Sequence, residues 1–148
     1  MKYRGRRDAA ESLAELLLVP LARLDPPLAT GAPHPPLVVP IPLAPDREAI
    51  RGYNQAALLA GPLAARARLP YQSSPLRRVR PTLPQVGLSR RQRRANVRGA
   101  FAAAAVEGRS VVLVDDVTTT GSTLGSAASA CLAAGAARVY AVTLAREW

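Results

Sequence analysis

The stretch VVLVDDVTTTGSTL, Val111 to Leu124, ends an apolar run with two aspartates and follows them with hydroxyl residues around one glycine. Ser110–Val114 reads as a buried strand, Ser122–Ala134 as a helix ended by Gly135, and Arg138–Leu144 as another strand. Strand, loop, helix, glycine and strand make a βαβ unit. Both strands are apolar throughout rather than alternating, the pattern of parallel strands covered on both faces. Ligands of such sheets bind beyond the carboxyl ends of the strands, which is where Asp115 and Asp116 fall.

Residues 117–123 leave a strand and open a helix. A turn of that kind points several backbone N–H groups one way and adds the positive helix end, so it cradles anions. Thr118, Thr119, Thr120, Ser122 and Thr123 supply hydroxyl donors, and Gly121 lets a ligand approach the backbone without meeting a Cβ. A phosphate held there repels carboxylates. Asp115 and Asp116 therefore suit a neighbouring diol, or a divalent cation bridging to further phosphates. A phosphorylated ribose with a second, metal-bound phosphate offers all three features. Neither G-x-x-x-x-G-K-[ST] nor G-x-G-x-x-G occurs in the chain. The plainer reading is a helix cap and a turn, against which stands the spacing of an adjacent acid pair before T-T-G-S-T.

Outward from this unit, Asp8–Leu24 has leucines near helical spacing, with Asp8 placed to cap the helix and Pro20 to kink or end it. Residues 25–36 are loop on their Pro and Gly content. Leu37–Ile41 reads as a buried strand. Asn54–Leu69 reads as a helix with Asn54 as its cap and Pro62 as a break or kink. Residues 70–98 have no clean period and read as an excursion, a hairpin or lid.

A chain of 148 residues fits one domain, 1–148, with a real core. No run of about 18 uninterrupted apolar residues marks a membrane span. Asp8, Glu11 and Glu15 interrupt the N-terminal apolar stretch where a signal peptide would not tolerate them, so a cytoplasmic location is expected. Cys131 has no partner cysteine and reads as a buried filler; His34, between prolines, reads as a surface residue. The formal charge is +10. From Arg77 to Arg98 there are eight arginines and no Asp or Glu. Such density calls for nucleic acid, for a small polyanion, or for full solvation.

VVLVDDVTTTGSTL resembles the phosphoribosyl pyrophosphate (PRPP) loop of type I phosphoribosyltransferases. VVPIPL (38–43), RGYNQAALLA (51–60), RPTLPQVGLSRRQRRANVRGAF (80–101) and AGAARVYAVTLAR (134–146) resemble the ComF family. Those proteins are competence-associated and amidophosphoribosyltransferase-like. Longer members begin with a four-cysteine zinc segment, which the start of this chain does not match, so no zinc site carries over.

The resemblance implies an α/β fold of the type I phosphoribosyltransferase kind: a mostly parallel sheet flanked by helices, with residues 70–101 as a basic hood. It assigns the 5-phosphate to Thr118, Thr119, Thr120, Gly121, Ser122 and Thr123, and the ribose hydroxyls to Asp115 and Asp116. The same pair would serve Mg²⁺ indirectly and stabilise the charge of the reacting sugar. Arg47, Arg51, Asn54 and Gln55 are implied around the pyrophosphate, and Thr82, Gln85, Arg93 and Asn96 in the hood. The arginines outside that pattern read as a solvated face. Two functions stay open. One is a Mg²⁺-dependent transferase acting on an unidentified acceptor. The other is a non-catalytic module binding PRPP or single-stranded DNA and serving DNA uptake with competence proteins. A homodimer stays open as well.

Overall fold

The computed structural model describes residues 4–24, 34–82, 87 and 89–147. Three apolar runs form its main sheet: β1 (Leu37–Pro40), β4 (Ser110–Thr118) and β5 (Arg138–Arg146), all parallel in the order β1-β4-β5. Residues 70–72 flank the other side of β1, with Val38 N–H donating to the Pro70 carbonyl and Gln72 N–H to that of Val38. A short antiparallel pair, β2 (Leu76–Arg78) with β3 (Phe101–Ala103), makes a separate sheet.

The alternation of β4 divides the core in two. Val112 and Val114 pack with Ala14 and Leu17 of the N-terminal helical segment and with Leu59 and Leu63 of α4 (Gln55–Ala67). Val111 and Leu113 pack on the opposite face with Ala127 and Cys131 of α6 (Ser122–Ala133) and with Leu76 and Phe101 of the small sheet. Cys131 is the buried filler expected, and His34 is exposed.

Several boundaries differ from the sequence reading. The first helix, α1 (Arg4–Leu16), begins before Asp8, so Asp8 lies inside it instead of capping it; the arginines preceding Asp8 are good helix formers. Pro20 has no N–H to give the Leu16 carbonyl. The helix accordingly breaks at Leu17 and resumes as α2 (Leu18–Ala22). Pro62 does not break α4. Most of the proposed loop 25–36 lies outside the described residues. β5 is an edge strand, half-exposed along most of its length with only Val142 fully buried, so it is not covered on both faces.

β4 also runs four residues further than expected. Its pairing with β5 continues through Asp115↔Thr143 and Val117↔Ala145 to Thr118↔Arg146. The two aspartates therefore belong to the strand. By the pleat, Asp115 falls on the α6 face and Asp116 on the α1/α4 face.

The excursion over 70–101 is a hairpin-like unit: β2 and β3 close its base, and α5 (Arg90–Val97) lies between them. Ser89 caps α5 by accepting from Gln92 N–H, while the Gln92 side chain accepts from Ser89 N–H. Ser126 Oγ of α6 donates to the Val97 carbonyl and pins the unit to the body, while inside the unit Arg80 donates to the carbonyls of Asn96 and Arg98 at 2.9 and 2.8 Å.

Candidate functional site

At the carboxyl edge of β1 and β4, the chain leaves β1 through Ile41–Leu43 and enters the short helix α3 (Pro45–Arg51), which opens on a proline and closes on Gly52 at a φ of 74°. Asn54 then caps α4. Its Oδ1 accepts from Ala56 N–H at 3.0 Å, and its Nδ2 donates to the Ile41 carbonyl at 2.9 Å. Asn54 thus fastens the whole turn to the end of β1.

Across from that turn, Asp115 and Asp116 each accept the N–H of the following residue, at 3.0 and 2.8 Å. Burial pushes the Asp115 carboxyl up to about 7; the neighbouring Asp116 charge adds to this, and the Arg78 guanidinium pulls the other way. After β4, Gly121 takes the left-handed conformation at a φ of 72° and starts α6. Thr120 Oγ1 and Ser122 Oγ lie 2.6 Å apart, and Ser122 N–H donates to Thr120 Oγ1 at 3.3 Å. Gly121, the residue at the cap position, has no side chain to cap α6, and the first turn of α6 holds no acid.

These parts line one cleft of about 320 Å³. It brings together the expected Asp115, Asp116, Thr118, Thr119, Thr120, Gly121, Ser122, Thr123, Arg47, Asn54, Gln55 and Arg93. Arg93 reaches in from α5 and donates to Thr119 Oγ1 at 3.0 Å. Arg51 is exposed on the last turn of α3 and does not line the cleft. Thr82 is set back from it and accepts from Arg78 Nη1, while Asn96 offers its carbonyl to Arg80. Gln85 lies outside the described residues.

Two charged lining residues escaped the sequence reading. Arg78 is not a solvated arginine: it is half-buried, sits over the Phe101 ring at 4.9 Å and lines the cleft. Its signal was the alternation of a short strand opposite a lone phenylalanine. Glu147 reaches the cleft because its N–H continues the sheet to the Thr118 carbonyl at 2.9 Å.

An anion cradle, an acid pair and flanking guanidinium groups in one cleft can hold a sugar phosphate by both its charge and its hydroxyls. Residues 54–147, which carry most of this site, match the phosphoribosyl transferase domain model. The chain belongs to that family. Within it, the chain groups with the ComF proteins. It is 41% identical, over 99% of its length, to DNA utilization protein YhgH of Salmonella typhi. It is 44% identical over 94 residues, 61% of this chain and 41% of the relative, to Competence protein F of Haemophilus influenzae. The chain spans 64% of the length of the Salmonella relative. Its fold matches a glutamine PRPP amidotransferase from B. subtilis with a TM-score of 0.57 at 23% identity, over 91% of this chain and 26% of that one. The type I phosphoribosyltransferase architecture expected from the sequence is therefore the one observed. No helix among the described residues is long and apolar enough to cross a membrane.

Proposed function

We propose that the cleft binds PRPP and that the chain transfers its phosphoribosyl group to a nitrogen acceptor. The observation that carries this reading is the convergence, in one cleft, of the Thr118–Thr123 turn with Asp115, Asp116, Arg47 and Arg93. In this reading the turn and the positive end of α6 hold the 5-phosphate. Asp115 and Asp116 accept the ribose hydroxyls. Sugar hydroxyls donating to Asp115 favour its charged form, which burial alone disfavours. The carboxylate charge then faces an anomeric carbon that gains positive character as pyrophosphate departs. Arg47 and Arg93 lie where the leaving group needs counter-charge, and the base of the excursion holds Arg78 beside Asp115.

Mg²⁺ fits this donor set as an indirect guest. Among the described residues no group of three or more His, Cys, Asp or Glu side chains forms a cage. One or two carboxylates beside room for substrate phosphates and water is the arrangement that this ion accepts. When bound, it supplies neutralisation of the pyrophosphate charge.

The test is pyrophosphate release from PRPP with Mg²⁺ across a panel of bases and amines. Release with at least one acceptor, lost in Asp115→Asn with Asp116→Asn, supports transfer. Binding of PRPP without release under any acceptor points instead to a non-catalytic module.

That second reading has an observation of its own. Arg77, Arg80, Arg91 and Arg98 are exposed on an excursion that carries no Asp or Glu between Arg77 and Arg98, and the relatives are named for DNA utilization and competence. Single-stranded DNA is the polyanion this face suits, although base-stacking aromatics are sparse on it. Salt-sensitive DNA binding that survives loss of both aspartates supports it; binding that disappears with the aspartates counts against it.

A further inference from the structure

Charge is unevenly spread along this chain. Twenty basic and ten acidic residues give the net +10, yet from Val117 to Ala145 the only charged residue is Arg138. That segment contains α6 and nearly all of β5, and both reach the surface. Ser129, Leu132 and Ala133 are exposed on α6, and Ala141 and Ala145 on β5. A surface helix ordinarily turns charged residues to water. α6 has none to turn.

The backbone of β5 has an open side. Among the described residues it pairs with β4 alone. Ala137 N–H donates to the Arg109 carbonyl. In a parallel ladder alternate residues do likewise, so Val139, Ala141 and Thr143 face β4, while the N–H and carbonyl groups of Val142 and Leu144 point outward. An open edge is normally kept short or guarded by a proline, a bulge or a charge. β5 is nine residues long, and Val139 to Ala145 holds no proline and no charge. Exposed apolar side chains flank it on both faces of the sheet. Leu13, 41% exposed, lines a cavity with Leu144 on the α1 side. Leu132, 53% exposed, lies on α6 away from the groove where that helix meets the hairpin unit.

We propose that the outer edge of β5 is an interface between two copies of this chain, paired antiparallel about a two-fold axis. Electrostatics selects the partner. A second molecule at +10 is repelled by the arginine-bearing surfaces, and the segment 117–145 is where two copies meet without opposing like charges. Centred on Ala141, the pairing sets Val142 against Tyr140 and Leu144 against Arg138, so Arg138 and Arg146 of the two copies do not face each other. A strand of nine residues spans about 30 Å. With the flanking apolar side chains it reaches the scale of about 800 Å² per partner that a stable complex buries. The axis closes the assembly at two copies. It also turns the carboxyl ends of the two sheets in opposite directions, so both sugar-phosphate clefts stay open.

Sedimentation velocity of the full chain between about 1 and 100 μM, at low and at high salt, tests this. The expected result is a monomer–dimer equilibrium that tightens with salt, since salt screens the repulsion between two chains of +10. Ala141→Lys places two lysines opposite each other at the axis and should weaken the dimer by about tenfold or more. Leu132→Lys, on the flanking helix, should weaken it by about threefold. Ala102→Lys adds the same charge on β3 and should leave the dimer within about twofold of wild type at high salt. All three positions are exposed, and circular dichroism of the dilute variants should match wild type. If Ala141→Lys misfolds, the comparison passes to Leu132→Lys. A monomer at every concentration and salt, species larger than a dimer, or a dimer weakened no more by the β5 and α6 variants than by Ala102→Lys overturns the proposal. The PRPP reading stands or falls separately.

Discussion

Two helices of this protein begin in opposite ways. α5 is closed at its start: Ser89 and Gln92 exchange reciprocal hydrogen bonds, so orphan amides are satisfied within the chain. α6 starts at a glycine in the left-handed conformation that supplies no capping side chain, with the Ser122 N–H taken by Thr120 Oγ1 at 3.3 Å and no acid in its first turn. A cap of the first kind is worth about 1 kcal/mol of stability. Omitting it from α6 forgoes that stabilisation and leaves donors and a positive helix end facing the cleft. One start serves the fold, and the other serves a ligand.

The sharpest way to break this contrast is to give α6 a cap. Gly121→Asp puts a carboxylate where the 5-phosphate is proposed to sit, in a backbone conformation that Asp tolerates better than most residues. PRPP affinity measured by calorimetry should fall by about a hundredfold or more. The melting temperature should move little, because capping and αL strain act in opposite directions. A variant that still binds PRPP as the wild type does would mean that the helix start holds no phosphate.

The acid pair comes next. Asp115→Asn with Asp116→Asn should weaken PRPP by about tenfold or more, through lost charge-assisted hydrogen bonds to the ribose. The same chain should be no less stable than wild type near pH 7, since the two acids repel and Asp115 is half-buried. Asp115 also gives a pH signature. Its folded value of about 7 lies above the value of an unfolded aspartate, near 3.9. The folded chain therefore binds the extra proton, and this group's stabilisation is fully present below about pH 4 and lost as pH rises through 7. Urea unfolding of the ligand-free protein between those limits should show that slope, and Asp115→Asn should flatten it.

The smallest effect on binding belongs to the closed helix. Ser89→Ala should cost about 1 kcal/mol in urea unfolding and change PRPP affinity by only a few-fold, through looser placement of Arg93 against Thr119. A loss of affinity as large as that of Gly121→Asp would erase the distinction between the two helix starts.

The βαβ unit and its acid pair were legible because every local signal agreed: an apolar run, two acids, a hydroxyl-rich turn and a closing glycine. α5 was missed: the S-R-R-Q of 89–92 is a capping box, but it lies among arginines in a segment of no apolar period. α3 was marked by its opening proline and by Gly52, and its seven residues are too few to show a stripe. What the sequence could not carry was register. That β4 runs on to Thr118 depends on β5 being there to pair with it, and the same pairing brings Glu147 to the cleft. Arg78 was lost for a similar reason. Only the pairing of Arg78 with Phe101 distinguishes it from the solvated arginines around it.

The claim at the centre is that one cleft grips PRPP by its phosphate and by its sugar at once, and calorimetric titration of the chain with PRPP, with and without Mg²⁺, tests it most directly. The prediction is saturable binding at one site per chain, tightened by Mg²⁺ and weakened both in Gly121→Asp and in the double aspartate variant. No heat of binding with Mg²⁺ present, or binding that both variants leave intact, contradicts it.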